Sequence, residues 1–150
     1  KQRYSTMKSY LISDIRLAMH SILQNIPIRW NYKKWKIEKG FQSEVFQFLR
    51  NREYFAYHIA DIWMWYRLLD AYILDPQGNQ FLIEFKKTDG LTFNMSQFEP
   101  SQIELLDLME KRWALSYIMV YSQKTNTYWI GQYSYLKSNA NSKWWIKIFT

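Results

Sequence analysis

The sequence LLDAYILDPQGNQFLIEFK, residues 68–86, carries the strongest structural signal in the chain. It holds two short apolar runs, each of strand length, on either side of the segment 75–79, which contains Pro76 and Gly78. Proline and glycine between two such runs are typical of a turn, so the stretch predicts a β-hairpin. Asp75 is interpreted as a turn residue within it.

Three charged side chains interrupt these apolar strands. Side chains alternate along a strand, so Glu84 and Lys86 project from the same face, and a hairpin would bring Asp70 close to both. Two neighbouring carboxylates repel each other unless a cation lies between them, and Mg²⁺ prefers such oxygen ligands. The hairpin therefore predicts a magnesium site of Asp70 and Glu84, with Lys86 beside it, for phosphodiester hydrolysis. An exposed cross-strand pair of Glu84 and Lys86 is the simpler alternative.

Outside the hairpin, helical and strand periods alternate along the chain. We expect helices at 5–25, 41–52 and 100–112, the last opened by Pro100-Ser101 with Ser101 as N-cap and Glu104 completing a capping box. We expect further strands at 54–59, 115–121, 128–133 and 143–149, and an irregular segment at 88–98. This order predicts an α/β (α+β) domain in which helices flank a mixed central β-sheet.

The excess positive charge lies in one part of the chain. Residues 1–39 hold nine Lys/Arg and two Asp/Glu, while residues 40–150 hold eleven of each. We therefore divide the chain into a basic helical extension, 1–39, and a core, 40–150, within one compact domain. A basic segment on a neutral body points to a polyanion such as nucleic acid, although a solvated face would look the same. The candidate DNA contacts in the extension are Arg29, Lys33, Lys34 and Lys36.

Composition excludes several classes of protein. There is no cysteine, which removes disulfides and zinc–thiolate sites and favours a cytoplasmic location, or the host cytoplasm if the protein is viral. No apolar run approaches the roughly 20 residues that span a bilayer, so no membrane association is predicted.

Asp70, followed after thirteen residues by Glu84-Phe85-Lys86, resembles the core of the PD-(D/E)xK nucleases. The flanking residues make the chain most similar to the RecU-type Holliday junction resolvases over residues 40–122. These flanks are Lys87-Thr88 after the strand, Ser101-Gln102-Ile103 opening the next helix, and Gly40-Phe41-Gln42-Ser43-Glu44 before the sheet.

The resemblance implies a restriction-endonuclease-like core and adds residues to the site. It implies that Glu44 is an outer metal ligand or positions metal-bound water, and that Gln102 contacts metal-bound water or phosphate. Lys87 and Thr88 are candidate phosphate contacts. A solvent-facing role for Glu44 and an ordinary helix-start role for Gln102 remain open.

The leading hypothesis is a magnesium-dependent, structure-selective DNA endonuclease of recombination and repair, with Mn²⁺ able to substitute. Two symmetric cuts in a four-way junction need two active sites, which predicts a homodimer. One alternative is a restriction-like or phage-type nuclease that cuts duplex or single-stranded DNA. Another is a non-catalytic nucleic-acid-binding module with a degenerate site.

Overall fold

The computed structural model of the protein describes residues 2–28, 37–59, 69–112 and 114–149. This part of the chain contains four α-helices: α1 (Gln2–Gln24), α2 (Ile37–Arg50), α3 (Pro100–Lys111) and α4 (Tyr133–Asn139). Its strands are β1 (Phe55–His58), β2 (Ala71–Leu74), β3 (Gln80–Thr88), β4 (Thr92–Asn94), β5 (Ser116–Ser122), β6 (Thr127–Gly131) and β7 (Trp145–Lys147). A 3₁₀ turn, Met95–Gln97, follows β4 directly and precedes α3 by two residues.

The central sheet has five strands in the order β1-β2-β3-β5-β6. Pairing is antiparallel except between β3 and β5, which run parallel, so the sheet is mixed. Parallel neighbours need a long crossover, and α3 supplies it. β4 and β7 form a separate two-stranded antiparallel sheet.

The predicted hairpin is present, with Ala71 opposite Ile83 and Leu74 opposite Gln80. Its turn is held by the Asp75 carboxylate, which accepts hydrogen bonds from the backbone N–H of Gln77 and of Asn79. Gly78 has φ 88°, a conformation that glycine adopts without steric cost. Asp75 therefore has the turn role predicted for it.

Each face of the sheet covers its own hydrophobic core. On one face, α1 and α2 pack on side chains that include Ile83 and Phe85. On the other face, α3, α4 and the small sheet pack on side chains that include Ile118 and Val120. Both faces of β3 are thus covered, which explains why its first half is a nearly continuous run of apolar residues.

Several local predictions were wrong. α3 is capped by Glu99, with Gln102 completing the capping box, and not by Ser101 and Glu104. Pro100 explains the difference, because proline favours the first helical position and keeps the preceding residue extended. The helix expected from 41 begins at Ile37 and includes Gly40.

Two short elements also differ from the prediction. The segment 88–98, expected to be irregular, contains β4, a strand of three residues that is too short to show a period. The strand expected over 128–133 ends at Gly131, and Tyr133 begins α4.

Two tyrosines of the sheet anchor the second half of α1. The Tyr117 hydroxyl donates a hydrogen bond to the backbone oxygen of Arg16 at 2.8 Å. The Tyr128 hydroxyl donates to the Leu23 oxygen and accepts from the Ile26 N–H at 2.9 Å. Tyr128 thus satisfies polar groups at the end of α1 that the helix itself leaves without partners. In the described part of the chain, no helix has the length and apolar character needed to cross a membrane.

Replacing Tyr128 by Phe should lower the free energy of unfolding by about 1–2 kcal/mol, because the buried Ile26 N–H loses its acceptor. Urea denaturation of the variant and the wild type would measure this. Tyr135→Phe is the matched control, since Tyr135 is exposed and should tolerate the change. Equal losses in both variants would contradict the anchoring role.

The same residue should make stability depend on alkaline pH. Burial raises the pKa of Tyr128 from 10.0 to about 12. Because the folded state holds this proton more tightly, the contribution is complete below pH 10 and is lost as pH rises towards 12. The wild type should lose more stability than Tyr128→Phe over that window, measured by denaturation at stepped pH with tyrosinate absorbance alongside.

Candidate active site

The two predicted acids are buried and lie close together, Asp70 just before β2 and Glu84 within the neighbouring strand β3. Asp70 is 3% exposed and immediately precedes β2, while Glu84 is 1% exposed within β3. The carboxylate oxygen Oδ2 of Asp70 accepts a hydrogen bond from the backbone N–H of Phe85 at 2.8 Å. This bond places the Asp70 carboxylate at the main chain between Glu84 and Lys86. Glu84 lies within its strand as predicted, whereas Asp70, expected on a strand that starts at 68, lies at a bend just before β2.

Gln102 joins the glutamate and the lysine of the Glu-x-Lys motif. Its Nε2 donates a hydrogen bond to Oε2 of Glu84, and its Oε1 accepts one from Nζ of Lys86 at 3.3 Å. The same Oε1 accepts from the Glu99 N–H at 3.1 Å, as the capping box requires. The helix cap and the contact with the site are therefore made by one side chain.

Lys86 is held in a defined position. Its Nζ donates to the backbone oxygen of Gln97 at 2.8 Å and lies 5.1 Å from the centre of the Phe98 ring. The Lys86 side chain is only partly buried, so it can reach a ligand while its ammonium is fixed. Gln97 and Phe98 were not predicted as site residues, because their contribution comes from a turn that shows no period in the sequence.

Glu44 does not join this group. It lies on α2, and α2 packs on the sheet face that carries Phe85, whereas Glu84 meets Gln102 of α3. Glu44 lines a different cavity, of about 350 Å³, together with Asn25. Within the described ranges there is no group of three or more Asp, Glu, His or Cys residues that could hold a metal. The predicted set of three carboxylates is therefore not assembled, because Glu44 belongs to the other face of the sheet.

Glu44 lies close enough to Tyr121 for its negative charge to act on the pKa of that residue. Burial and, second, the negative charge of Glu44 raise the pKa of Tyr121. Tyr121 belongs to the core cluster on the α2 face, and its hydroxyl donates to the side-chain oxygen of Asn126.

The predicted phosphate contacts divide into two sets. Lys87 and Thr88 line a cleft of about 370 Å³ at the end of β3, close to Lys86 in sequence and in space. The Lys87 oxygen accepts from Nε2 of Gln97, and the Thr88 hydroxyl donates to the Thr92 oxygen. Arg29, Lys33, Lys34 and Lys36 lie outside the described residues, and their contact with DNA stays a prediction.

Comparisons with known proteins bear on the fold and the family. The structure is similar to that of Hjc from Archaeoglobus fulgidus, a Holliday junction resolvase from an archaeal hyperthermophile. The TM-score is 0.51 at 13% identity, over 72% of this chain and 85% of that one. This likeness confirms the predicted fold class. Comparison with curated proteins finds no match.

The family comparison covers the hairpin, the crossover helix and everything up to β7. The model of the RecU family, recombination protein U, matches residues 68–147. This match and the Hjc-like fold support the function predicted from the sequence, a structure-selective junction resolvase. Because the matched residues are more than half of the chain, the resemblance is confirmed, and the chain belongs to the RecU family.

Proposed function

We propose that the protein is a divalent-metal-dependent endonuclease that hydrolyses phosphodiester bonds in four-way DNA junctions. One observation carries the proposal: the buried carboxylate of Asp70, just before β2, and that of Glu84, on the adjacent β3, lie beside a lysine that Gln102 links to Glu84. Membership of the RecU family supports the reaction class, and the Hjc-like fold is compatible with it.

The donor set fits a hard divalent cation. Asp70 and Glu84 offer carboxylate oxygens, and magnesium is commonly held by one or two carboxylates together with water and substrate phosphate. We propose these two residues as the ligands of Mg²⁺, with Mn²⁺ as a substitute. When bound, the ion lowers the pKa of a water molecule and neutralises charge on the phosphate. Glu44 takes no part in this proposal, because α2 holds it on the other face of the sheet.

Lys86 would supply a fixed positive charge for the phosphate. A cation whose position is set before the substrate binds stabilises developing negative charge without reorganisation. The Gln97 oxygen and the Gln102 side chain set that position. Gln102 acts as a positioning residue, because it orients Glu84 and Lys86 together.

A homodimer would deliver the two cuts that resolution of a junction needs. Symmetric cleavage of two strands calls for two active sites related by a twofold axis. Lys87 and Thr88, beside the site, would contact the DNA backbone. The basic segment that contains Arg29 and Lys33 would add positive charge that binds the arms of the junction, since phosphate neutralisation dominates affinity for DNA.

The substitutions Asp70→Asn and Glu84→Gln should abolish magnesium-dependent cleavage of a labelled four-way junction while retaining DNA binding, because each removes one ligand charge. Lys86→Gln should slow cleavage about 100- to 1000-fold. Asp107→Asn and Glu104→Gln are matched controls, since both side chains are exposed on α3 and lie outside the site. Full activity of Asp70→Asn or of Glu84→Gln would refute the assignment of the two metal ligands.

Junction preference should appear when substrates of the same sequence are compared. The wild type with Mg²⁺ should cut the four-way junction faster than its duplex arms or the separate strands. Cleavage rates in single-turnover assays would measure this preference. Equal rates on all three substrates would instead support the restriction-like or phage-type alternative.

The two site carboxylates should destabilise the folded protein when the metal is removed and stabilise it when the metal is bound. Two buried carboxylates are costly without a cation, so Glu84→Gln should melt higher than the wild type in chelator. Saturating Mn²⁺ at one hundred times its Kd should stabilise the wild type by about 2.7 kcal/mol. Thermal melts with chelator and with Mn²⁺ would test both points. An equal Mn²⁺ shift in the double variant Asp70→Asn/Glu84→Gln would place the metal elsewhere.

A further inference from the structure

Two adjacent tryptophans near the C-terminal end of the described chain are exposed. Trp144 has 54% and Trp145 has 44% of its surface accessible. Tryptophan is on average highly buried, so two neighbouring exposed indoles call for an explanation. Packing of the core does not provide one, since the neighbouring Ile146 fills that role at 5% exposure.

The backbone at this pair is held in an uncommon conformation. Trp144 has φ 67°, in the left-handed region that bulky residues rarely adopt. Its oxygen accepts from the Met95 N–H at 2.8 Å, and its N–H donates to the Asn141 oxygen at 3.0 Å. The Asn141 side chain also accepts from the N–H groups of Lys143 and Trp145. The two indoles are therefore presented from a fixed turn.

The register of the small sheet decides which way Trp145 faces. In β7, Ile146 is buried, while Trp145 and Lys147 are exposed on the opposite face. Trp145 is paired with Asn94, and Lys147 is paired with Thr92. An indole and an ammonium group therefore stand on the same outer face, two residues apart.

That outer face borders a cleft beside the active site. Trp145 lines the cleft of about 370 Å³ that Lys87 and Thr88 also line. Gln97 lines the same cleft, and its backbone oxygen accepts the hydrogen bond from Lys86 at 2.8 Å. Gln97 thus contacts the Lys86 ammonium and also lines the cleft that Trp145 lines.

The charges around the cleft suit a nucleic acid strand. Lys87 lies in the cleft, Lys143 and Lys147 flank the tryptophans, and Asp89 is the one acid among the described residues that line the cleft. An aromatic face beside cations is the arrangement that binds an unstacked base together with its phosphate. A continuous duplex keeps its bases stacked and offers no free face, whereas a branch point or a single strand does.

We propose that Trp144 and Trp145 form a stacking site for an unstacked DNA base next to the cleaved phosphodiester. This rests on the proposed function and deepens it, because it assigns part of the preference for branched DNA to one turn. Trp145 supplies the stacking face within the cleft, and Trp144 extends the aromatic surface outside it. Lys87 and Lys147 hold the backbone of the same strand.

The experiment measures binding separately from cleavage. In an Asp70→Asn background, which should bind without cutting, Trp145→Leu keeps apolar bulk but removes the aromatic face, and Trp145→Phe keeps a smaller one. Each variant is titrated with a four-way junction that carries 2-aminopurine at the branch point, and with a continuous duplex of the same sequence. Trp144→Ala serves as a second, independent variant. Tyr135→Ala is the matched control, since Tyr135 is also an exposed aromatic, on α4.

We expect Trp145→Leu to weaken junction binding about tenfold and to lose the change in 2-aminopurine fluorescence, with duplex binding unchanged. Trp145→Phe should lie between it and the wild type, and Tyr135→Ala should bind like the wild type. Equal weakening on both DNAs, or none on either, would overturn the proposal. So would a change in sedimentation with unaltered DNA binding, which would make the turn a contact between copies. Failure of the wild type to cut the junction would count against the proposed function alone, because stacking is measured without cleavage.

Discussion

The parallel pairing of β3 with β5 determines how the candidate active site is assembled. Parallel neighbours cannot be joined by a tight turn, so the chain must leave the end of β3, cross one face of the sheet and return. α3 makes that crossing, and its first turn lies over the side of β3 that carries Glu84 and Lys86. Gln102 can contact both side chains only because the topology brings a helix start to that place.

Burial of the two acids sets a balance between stability and chemistry. A carboxylate removed from water is costly unless hydrogen bonds or a cation compensate it. The Phe85 N–H and the Gln102 amide contribute part of this compensation. Buried acids that lie close together therefore indicate a functional site more strongly than the same residues on a surface would.

The features predictable from sequence are those encoded by neighbouring residues. The hairpin, the shared face of Glu84 and Lys86, and the turn role of Asp75 follow from alternation and turn chemistry. β7 lies within the strand predicted over 143–149, but its pairing could not be predicted, because β4 has only three residues and pairs with it across a long stretch of chain. The position of Glu44 depended on which face of the sheet α2 covers, and that is decided by tertiary packing of Phe41 and Phe46. The N-cap at Glu99 was readable from Pro100.

The short segment from Met95 to Phe98 connects the candidate active site to the turn that carries Trp144 and Trp145. Its first residue donates to the Trp144 oxygen, and its third accepts from Lys86. The segment is itself closed by a hydrogen bond from the Phe98 N–H to the Met95 oxygen at 3.1 Å and begins at the Asn94 cap. A rigid turn with one contact at each end fixes the separation between the two sites. A strand seated against Trp145 would therefore present its phosphate to Lys86 at a defined register, which is how a recognition element governs the position of a cut.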